Sequence, residues 1–360
     1  RAGYIKKKYH YNSILNFFND ISMTSTLTDL IKITSLPLRM FEKDFAVDSI
    51  DDALLLRNLL PDASILVLGY VLHERLTDAV QANLELTVYD EDTVQLLSEA
   101  AKRAGCVARA HVKLETGTHR QGVLGSDLIE FSRLMRLHAA TIRWEGLSTH
   151  FANVEDADDP RYASQQFQRL TAAQRNLEEQ GIRIPTVHCA CSAAILLYPQ
   201  THLSLVRAGI SLYGYWPSAA VQRVMLRQNI SVQLSPVLTW KTRIAQVKSL
   251  PAGSPIGYDN SEILRKESRV AVIPVGYFDG FDRRFSSCGH VLIGGQLCKV
   301  LGRVCMNMSI VDVSTVAQIA PEQEVVLLGR QGRHELFADT LAEIAQTITY
   351  EILARLPAHL

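Results

Sequence analysis

Short apolar runs alternate with amphipathic stretches from Phe45 to about residue 213, and this alternation predicts strands and helices in turn. The apolar runs predict strands at 65–70, 84–89, 108–114, 143–150, 185–189 and 202–213. The amphipathic stretches predict helices at 91–104, 127–137 and about 160–180. Another helix is expected to begin after Ser49, because Asp52 three residues later completes a typical helix-start pattern.

Strands that alternate with helices form parallel βαβ units, and short apolar strands are typical of a sheet that is buried on both faces. The number of units favours a closed (β/α)8-type barrel, with a first unit that is incomplete. The open doubly wound alternative is disfavoured, because no G-x-G-x-x-G follows the first strand.

The pattern changes after about residue 220, where strands separated by glycine and proline turns follow one another and the next helix is predicted only at 340–354. We therefore predict a divergent segment over 1–44, an α/β barrel over 45–222 and a mainly β domain over 223–360.

Composition narrows the class of protein. The 360 residues are 47% hydrophobic, and 37 Lys and Arg balance 37 Asp and Glu, so no net charge favours nucleic acid or an anionic membrane. No apolar run is long enough to span a membrane, and the N-terminus lacks a signal-peptide pattern. The six cysteines form no C-x-x-C pair and no zinc spacing, and most are expected to be reduced and buried, which favours the cytoplasm.

Polar residues lie in the C-terminal part of four of the predicted barrel strands or directly after it. They are Glu115–Arg120, His150, Cys191–Ser192 and the run Arg207, Gly209 and Ile210. Each has an ordinary structural reading, such as an ion pair, a buried imidazole, a helix cap or an arginine leaving the strand for solvent. Chemistry in a βα barrel lies at the C-terminal ends of the strands, and the loops after the last two strands often bind phosphate. Four such segments on one rim therefore favour a site.

These segments resemble the alanine racemase family, whose members are pyridoxal-phosphate enzymes of fold type III. The resemblance rests on F-A-V-D-S-I-D-D-A-L-L-L-R (45–57), K-L-E-T-G-T-H-R (113–120), S-T-H-F-A (148–152), H-C-A-C-S-A-A (188–194), V-R-A-G-I-S-L-Y-G (206–214), G-S-P-I-G-Y-D (253–259), P-V-G-Y-F-D-G (274–280), G-R-V-C-M-N (302–307) and T-Y-E (349–351). It runs in consistent order from about residue 45 to 354.

The resemblance implies a pyridoxal 5'-phosphate site. Arg207 matches the arginine that faces the pyridine nitrogen, and His150 matches the imidazole behind it. The phosphate-binding groups match Ser192, Gly209, Ile210 and Tyr350. Arg120 matches the residue that orients the cofactor's phenolic oxygen and the substrate carboxylate, and Lys113 matches a lysine that can be carbamylated to hold that arginine.

The resemblance also implies a two-base reaction in a homodimer. Tyr258 matches the second catalytic base, which comes from the partner subunit together with the carboxylate-binding residue that matches Met306. Tyr277 matches a tyrosine at the substrate entrance.

The family's V-K-A-N-A-Y-G-H-G motif, whose lysine forms the Schiff base with the cofactor, is absent. The nearest fragment is L-I-K-I-T (30–34), so Lys32 is the candidate lysine, and its alternative reading is a surface lysine.

The resemblance therefore implies an enzyme that interconverts L-alanine and D-alanine with Lys32 and Tyr258 as opposed bases, and that supplies D-alanine for cell-wall peptidoglycan. One alternative is a racemase for serine or another small amino acid. Another is an inactive or truncated racemase-like protein that binds pyridoxal phosphate without turnover.

Overall fold

A computed structural model describes residues 44–230 and 232–356. They belong to two compact units. The barrel unit comprises residues up to Ser211 together with Trp216–Gln233, and the β unit comprises Leu212–Tyr215 and the residues from Leu234 onward.

The barrel unit is built on a parallel sheet whose strands follow chain order. The strands are β1 (Asp44–Val47), β2 (Ser64–Val67), β3 (Glu85–Val88), β4 (Ala108–Glu115), β5 (Val123–Leu124), β6 (Ile142–Ser148) and β7 (Thr186–His188). They pair in the order β1-β2-β3-β4-β6-β7, and the short β5 pairs with the end of β4. Neighbours in space are thus neighbours in sequence, as in a barrel wall, whereas a doubly wound sheet reverses its order.

Helices follow most of these strands. They are α1 (Ile50–Leu59), α2 (Leu76–Gln81), α3 (Glu91–Ala104), α4 (Leu128–Leu137), α5 (Arg161–Glu179), α6 (Ser192–Leu197) and α7 (Ala219–Arg227). The predicted cap of α1 is confirmed, because the Ser49 hydroxyl accepts a hydrogen bond from the Asp52 N–H at 3.1 Å. Asp90 caps α3 in the same way, and Gly105 ends α3 in the left-handed conformation that glycine tolerates best.

The predicted strand over 202–213 is wrong. Only Leu205 makes a ladder contact, a single parallel bridge to His188, and Ile210–Tyr213 is a short 3₁₀ helix. The segment is a loop whose apolar residues are mostly only partly buried, and the Arg207 N–H ties it to the Ala190 carbonyl at 2.9 Å.

Helix α7 was also missed by the sequence pattern, which predicted no helix between 220 and 340. Its start is fixed by Ser218, whose hydroxyl accepts from the Val221 N–H at 3.2 Å. It lies in the barrel unit, and the limits predicted at residues 44 and 222 stay predictions.

The β unit is mainly antiparallel. Its strands are β8 (Trp240–Arg243), β9 (Gln246–Leu250), β10 (Pro255–Ile256), β11 (Glu262–Ile263), β12 (Ser268–Ile273), β13 (His290–Ile293), β14 (Gln296–Leu301), β15 (Ser309–Asp312), β16 (Glu324–Gln331) and β17 (His334–Leu336). Eight of them form one sheet in the order β17-β16-β13-β14-β15-β12-β9, with β8 beside β16, and β10 and β11 form a separate pair. The predicted C-terminal helix is two helices, α8 (Ala338–Ala345) and α9 (Thr349–Ala354).

The α/β barrel class with a mainly β C-terminal domain is therefore confirmed. Within the described ranges, no helix has the length and apolar content that crossing a membrane requires.

Candidate active site

The ends of β4, β6 and β7 lie side by side. Lys113 on β4 is in register with Ser148 on β6, which in turn is in register with His188 on β7. The Thr149 N–H continues this ladder by donating to the His188 carbonyl at 3.2 Å. The structure thus brings the polar residues that follow these three strands to one edge of the sheet, as the sequence predicted.

Arg207 is held at this edge by three acceptors. Its Nη2 donates to the Thr149 carbonyl at 2.8 Å and to the Cys189 carbonyl at 3.3 Å, and its Nη1 donates to His188 Nδ1. Burial lowers the pKa of the guanidinium below its usual value, yet part of the side chain remains accessible. Arginine stays charged in proteins, so a fixed cation with donors to spare lies at the strand ends.

Ser192 joins two loops of the predicted phosphate site. Its hydroxyl accepts from the Gly209 N–H at 3.0 Å and from the Ser211 N–H at 3.3 Å. A Cβ added at Gly209 would meet no atom within 4 Å, so the loop borders open space there. The Ile210 N–H begins the 3₁₀ helix and therefore has no partner within it.

Lys113 and His150 lie in the positive field of the two predicted cofactor-site arginines. Burial first, and then Arg120 and Arg207, lowers the pKa of Lys113 to about 8. Burial first, followed by the same two arginines and Lys113, lowers the pKa of His150 to about 4. His150 is therefore an uncharged imidazole at neutral pH, and Lys113 has an appreciable uncharged fraction.

The loop that leads to Arg120 is anchored from two sides. Burial alone would raise the pKa of Glu115, but hydrogen bonds from backbone N–H groups, those of His119 and Gly117 among them, hold it below its usual value. From helix α5, the Tyr162 hydroxyl donates to the Gly117 carbonyl at 2.8 Å. Arg120 itself is exposed at the end of this loop.

Sequence reasoning missed the residues behind Arg207. His188 contacts His111, which contacts Glu85, and all three side chains are buried at 0%, 3% and 6% exposure. A glutamate and two histidines inside otherwise apolar strands were the available signal, because such residues are rarely buried without polar partners.

Three loops of the β unit lie together and present Tyr258, Tyr277 and Met306. The Tyr277 N–H donates to the Cys305 carbonyl at 3.0 Å, and the Phe278 N–H donates to the Met306 carbonyl at 2.9 Å. The Tyr258 loop lies beside them, since Arg303 and Asp259 form an ion pair at 3.7 Å.

The Tyr258 loop has an unusual backbone. Gly257, Asp259 and Asn260 all have positive φ angles, of 72°, 63° and 48°. Such conformations in non-glycine residues cluster at functional sites. Tyr258 is 69% exposed at the tip of this turn.

The remaining predicted positions are placed as follows. Tyr350 lies in α9 of the β unit, and Lys32 lies outside the described residues. In the described part of the chain, no group of three or more His, Cys, Asp or Glu side chains is placed to hold a metal ion.

A parallel barrel-type sheet whose strand ends surround a fixed arginine, followed by an antiparallel β domain, defines a two-domain barrel enzyme. Models of the N-terminal and C-terminal alanine racemase domains match residues 38–217 and 237–360. The chain belongs to the alanine racemase family.

Known relatives agree with this assignment. The alanine racemase of Leptospira interrogans serogroup Icterohaemorrhagiae serovar Lai is 33% identical over 98% of this chain and 92% of its own length. That of Desulfovibrio desulfuricans is 38% identical over 84% of this chain and 79% of its own. A crystal structure of alanine racemase from Bacillus anthracis with bound L-Ala-P superposes with a TM-score of 0.83 at 26% identity, over 93% of this chain and 91% of the other.

Proposed function

We propose that this chain catalyses the pyridoxal-phosphate-dependent interconversion of L-alanine and D-alanine. The observation that carries this proposal is the position of Arg207, whose partly buried guanidinium is fixed by His188 and two carbonyls at the strand ends of an alanine racemase family barrel. We further propose that the enzyme acts in the cytoplasm, where its D-alanine supplies cell-wall peptidoglycan. All six cysteines are free, which supports a reducing compartment, although only two of them are buried.

The residues at the strand ends fit a phosphorylated pyridine cofactor. Ser192, Gly209 and Ile210 would hold the phosphate, because a hydroxyl and adjacent N–H groups beside open space are typical phosphate ligands, and the Gly209 N–H that donates to Ser192 would then be shared with the phosphate. The Ser211 hydroxyl supports the fit, since it is buried and has no hydrogen-bond partner among the described residues. Tyr350 is proposed as a further phosphate ligand from the resemblance alone.

The bound cofactor would accept the electron pair that remains on Cα when the proton is removed, and so would act as an electron sink. Arg207 would donate a hydrogen bond to the pyridine nitrogen without giving up a proton. The ring would then stay neutral and withdraw electrons less strongly than a protonated ring. The imidazole in contact with Arg207 is His188, whereas His150, uncharged because its pKa is about 4, would add no positive charge near this cation.

Arg120 would bind the substrate carboxylate and the cofactor's phenolic oxygen, and the anchored Glu115 loop would set its position. Lys113 would support Arg120 as a carbamate. A pKa of about 8 favours this reaction, because only the uncharged amine adds carbon dioxide and a proton is then released.

Two groups would move the proton. Racemisation removes a proton from one face of Cα and delivers one to the other face, which suits two residues on opposite sides. We assign these roles to Lys32 and to Tyr258 of the partner subunit.

The exposed apolar side chains of the β unit support a homodimer. Tyr277, Phe278, Met306 and Met308 are 42%, 63%, 53% and 52% exposed in the single chain, close to the Tyr258 loop. Clustered exposed apolar groups mark interaction surfaces. A second copy whose barrel receives this surface would complete the site with Tyr258, Met306 and Tyr277, and a C2 dimer would contain two such shared sites.

Trapping the bound cofactor tests the assignment directly. After addition of pyridoxal 5'-phosphate and reduction with borohydride, we expect a covalent label on Lys32, found by peptide mass spectrometry. Unreduced protein is the control. A label on another lysine would relocate the first base. Absence of any label, with no visible absorbance, would instead favour the inactive, racemase-like reading.

Mixing two inactive variants tests the shared sites. In a hybrid of Lys32→Ala and Tyr258→Phe subunits, one of the two sites receives both native residues. If half of the dimers become hybrids after subunit exchange, about a quarter of wild-type activity should return. The measurement is racemisation before and after exchange, and mixing Lys32→Ala with a second preparation of itself is the control. No recovery in a mixture shown to contain hybrids would contradict the sharing.

A further inference from the structure

We propose that Glu85, His111 and His188 form a one-way hydrogen-bond relay through the barrel that positions Arg207. The inference deepens the proposed function, on which its cofactor measurement rests. None of the three residues would touch the reacting atoms, so they are positioning residues.

The direction of the relay follows from its two ends. Arginine can only donate, so His188 Nδ1, which faces Arg207 Nη1, must accept. His188 Nε2 then carries the proton, and it lies 2.9 Å from His111 Nδ1, which must therefore also accept. His111 Nε2–H finally donates to Glu85 Oε2 at 2.7 Å. Both rings thus have the same tautomer, with the proton on Nε2.

The opposite arrangement cannot satisfy the contacts. A proton on His111 Nδ1 would require His188 Nε2 to accept, and His188 would then have two acceptor nitrogens and no proton. His188 would then be an imidazolate anion. A ring as deeply buried as this one disfavours any charged form, so we exclude that arrangement. Burial, together with the positive charge of Arg207, lowers the pKa of His188 well below its usual value, which agrees with a neutral ring.

Glu85 ends the relay as a carboxylate. Burial alone would raise its pKa, but hydrogen bonds from His111 and Ser64, together with the charge of Arg109, hold that pKa below its usual value. Its Oε1 lies 2.5 Å from both the Ser64 hydroxyl and Arg109 Nη2, so both carboxylate oxygens are occupied. The relay therefore joins the partly buried cation Arg207 to a buried anion through two neutral rings.

A glycine and a bulge make the relay possible. His111 is on β4 and His188 is on β7, and β6 runs between them. The backbones of the two residues are therefore about 10 Å apart across the sheet, and their side chains must reach over β6. The register of β4 against β6 shifts after Ala110, which places Gly146 opposite His111. A Cβ at Gly146 would collide with His111 Nδ1, so only glycine leaves room for this ring to reach His188.

The first experiment reads the tautomers without relying on activity. Nitrogen NMR of the full-length protein with labelled imidazoles should show both rings protonated at Nε2 and unprotonated at Nδ1. His111→Gln and His188→Gln, each of which removes one set of signals, provide the assignment. A proton on Nδ1 of either residue, or an imidazolium at neutral pH, would overturn the relay.

The second experiment measures the dissociation constant of pyridoxal 5'-phosphate by titration of the apoprotein. Glu85→Leu removes the terminal acceptor, so we expect weaker binding, on the order of tenfold, as for other supporting residues behind a ligand. Glu85→Gln retains an oxygen that can accept from His111 and should lie between Glu85→Leu and wild type. Gly146→Ala, which displaces His111 without touching the carboxylate, should resemble Glu85→Leu and replaces it if that variant does not fold.

Glu145→Gln is the matched control. Glu145 accepts from the same Arg109, at 3.2 Å, but it has no contact with His111, so cofactor binding should remain at the wild-type level. Folded Glu85 and Gly146 variants that bind the cofactor as wild type does, even with a lower unfolding temperature, would reduce the relay to a structural role and overturn the proposal. If the wild-type protein binds no cofactor, the proposed function fails, and the tautomers alone decide on the relay.

Discussion

Replacement of Tyr258 by phenylalanine should strongly slow racemisation in both directions while the cofactor stays bound, because the equilibrium constant between the enantiomers is one and kcat/KM must fall equally for both. The substitution removes one hydroxyl from a side chain that is 69% exposed in the single chain, so the fold should not change. Loss of a positioned acid or base lowers turnover by about 10²–10⁴-fold. The measurements are the initial rates from L-alanine and from D-alanine and the visible absorbance of the bound cofactor.

Exchange of the Cα hydrogen in deuterium oxide sharpens this test. If Tyr258 serves one face only, the variant should still exchange the hydrogen of one enantiomer, through the remaining base, without forming the other enantiomer. Tyr198→Phe is the matched control, because Tyr198 ends helix α6 in the barrel unit and has no assigned role. If the Tyr258→Phe variant turned over L-alanine and D-alanine as fast as the wild-type protein does, Tyr258 would have no part in the mechanism.

Replacement of Arg207 by glutamine should have the second large effect, with kcat/KM lower by about 10²–10³-fold, as for other preorganised donors that stabilise developing charge. The amide cannot match the fixed fork of donors, and it leaves acceptors at His188, Thr149 and Cys189 without their partner. Each unsatisfied buried group costs about 1–3 kcal/mol of stability. Steady-state kinetics and thermal unfolding measure the two effects.

Two further variants separate charge from geometry. Arg207→Lys keeps the positive charge but has a single ammonium in place of the planar fork, so we expect activity close to that of Arg207→Gln. Wild-type activity in Arg207→Lys would show that charge alone is sufficient. Arg223→Gln on α7 controls for loss of an arginine, since Arg223 forms only an exposed ion pair with Asp158 in this structure.

Local signals in the sequence predicted much of the barrel. Ser49 and Asp52 marked the start of α1 because a cap depends only on residues three positions apart. The contact between Ser192 and Gly209 was also within reach, because both segments were predicted to lie on the same rim of the barrel, although the strand predicted around Gly209 does not form.

Other features depend on tertiary structure. The apolar run at 202–213 has the composition of a strand, but composition does not reveal whether a segment pairs or merely packs, and only Leu205 pairs. The relay depends on a register shift between β4 and β6, and no residue near His111 predicts this shift. The role of Lys32 remains a prediction, because it rests on resemblance and lies outside the described residues.

The glycine opposite His111 also limits how this chain can diversify. Any side chain at Gly146 displaces the His111 ring. A residue other than histidine at 111 or 188 breaks the hydrogen-bond relay, in which every donor already has its acceptor. Single replacements at these positions should therefore be selected against, whereas joint replacements that restore a donor for every acceptor should persist. Among natural homologues, we expect positions 85, 111, 146 and 188 to change together in descent.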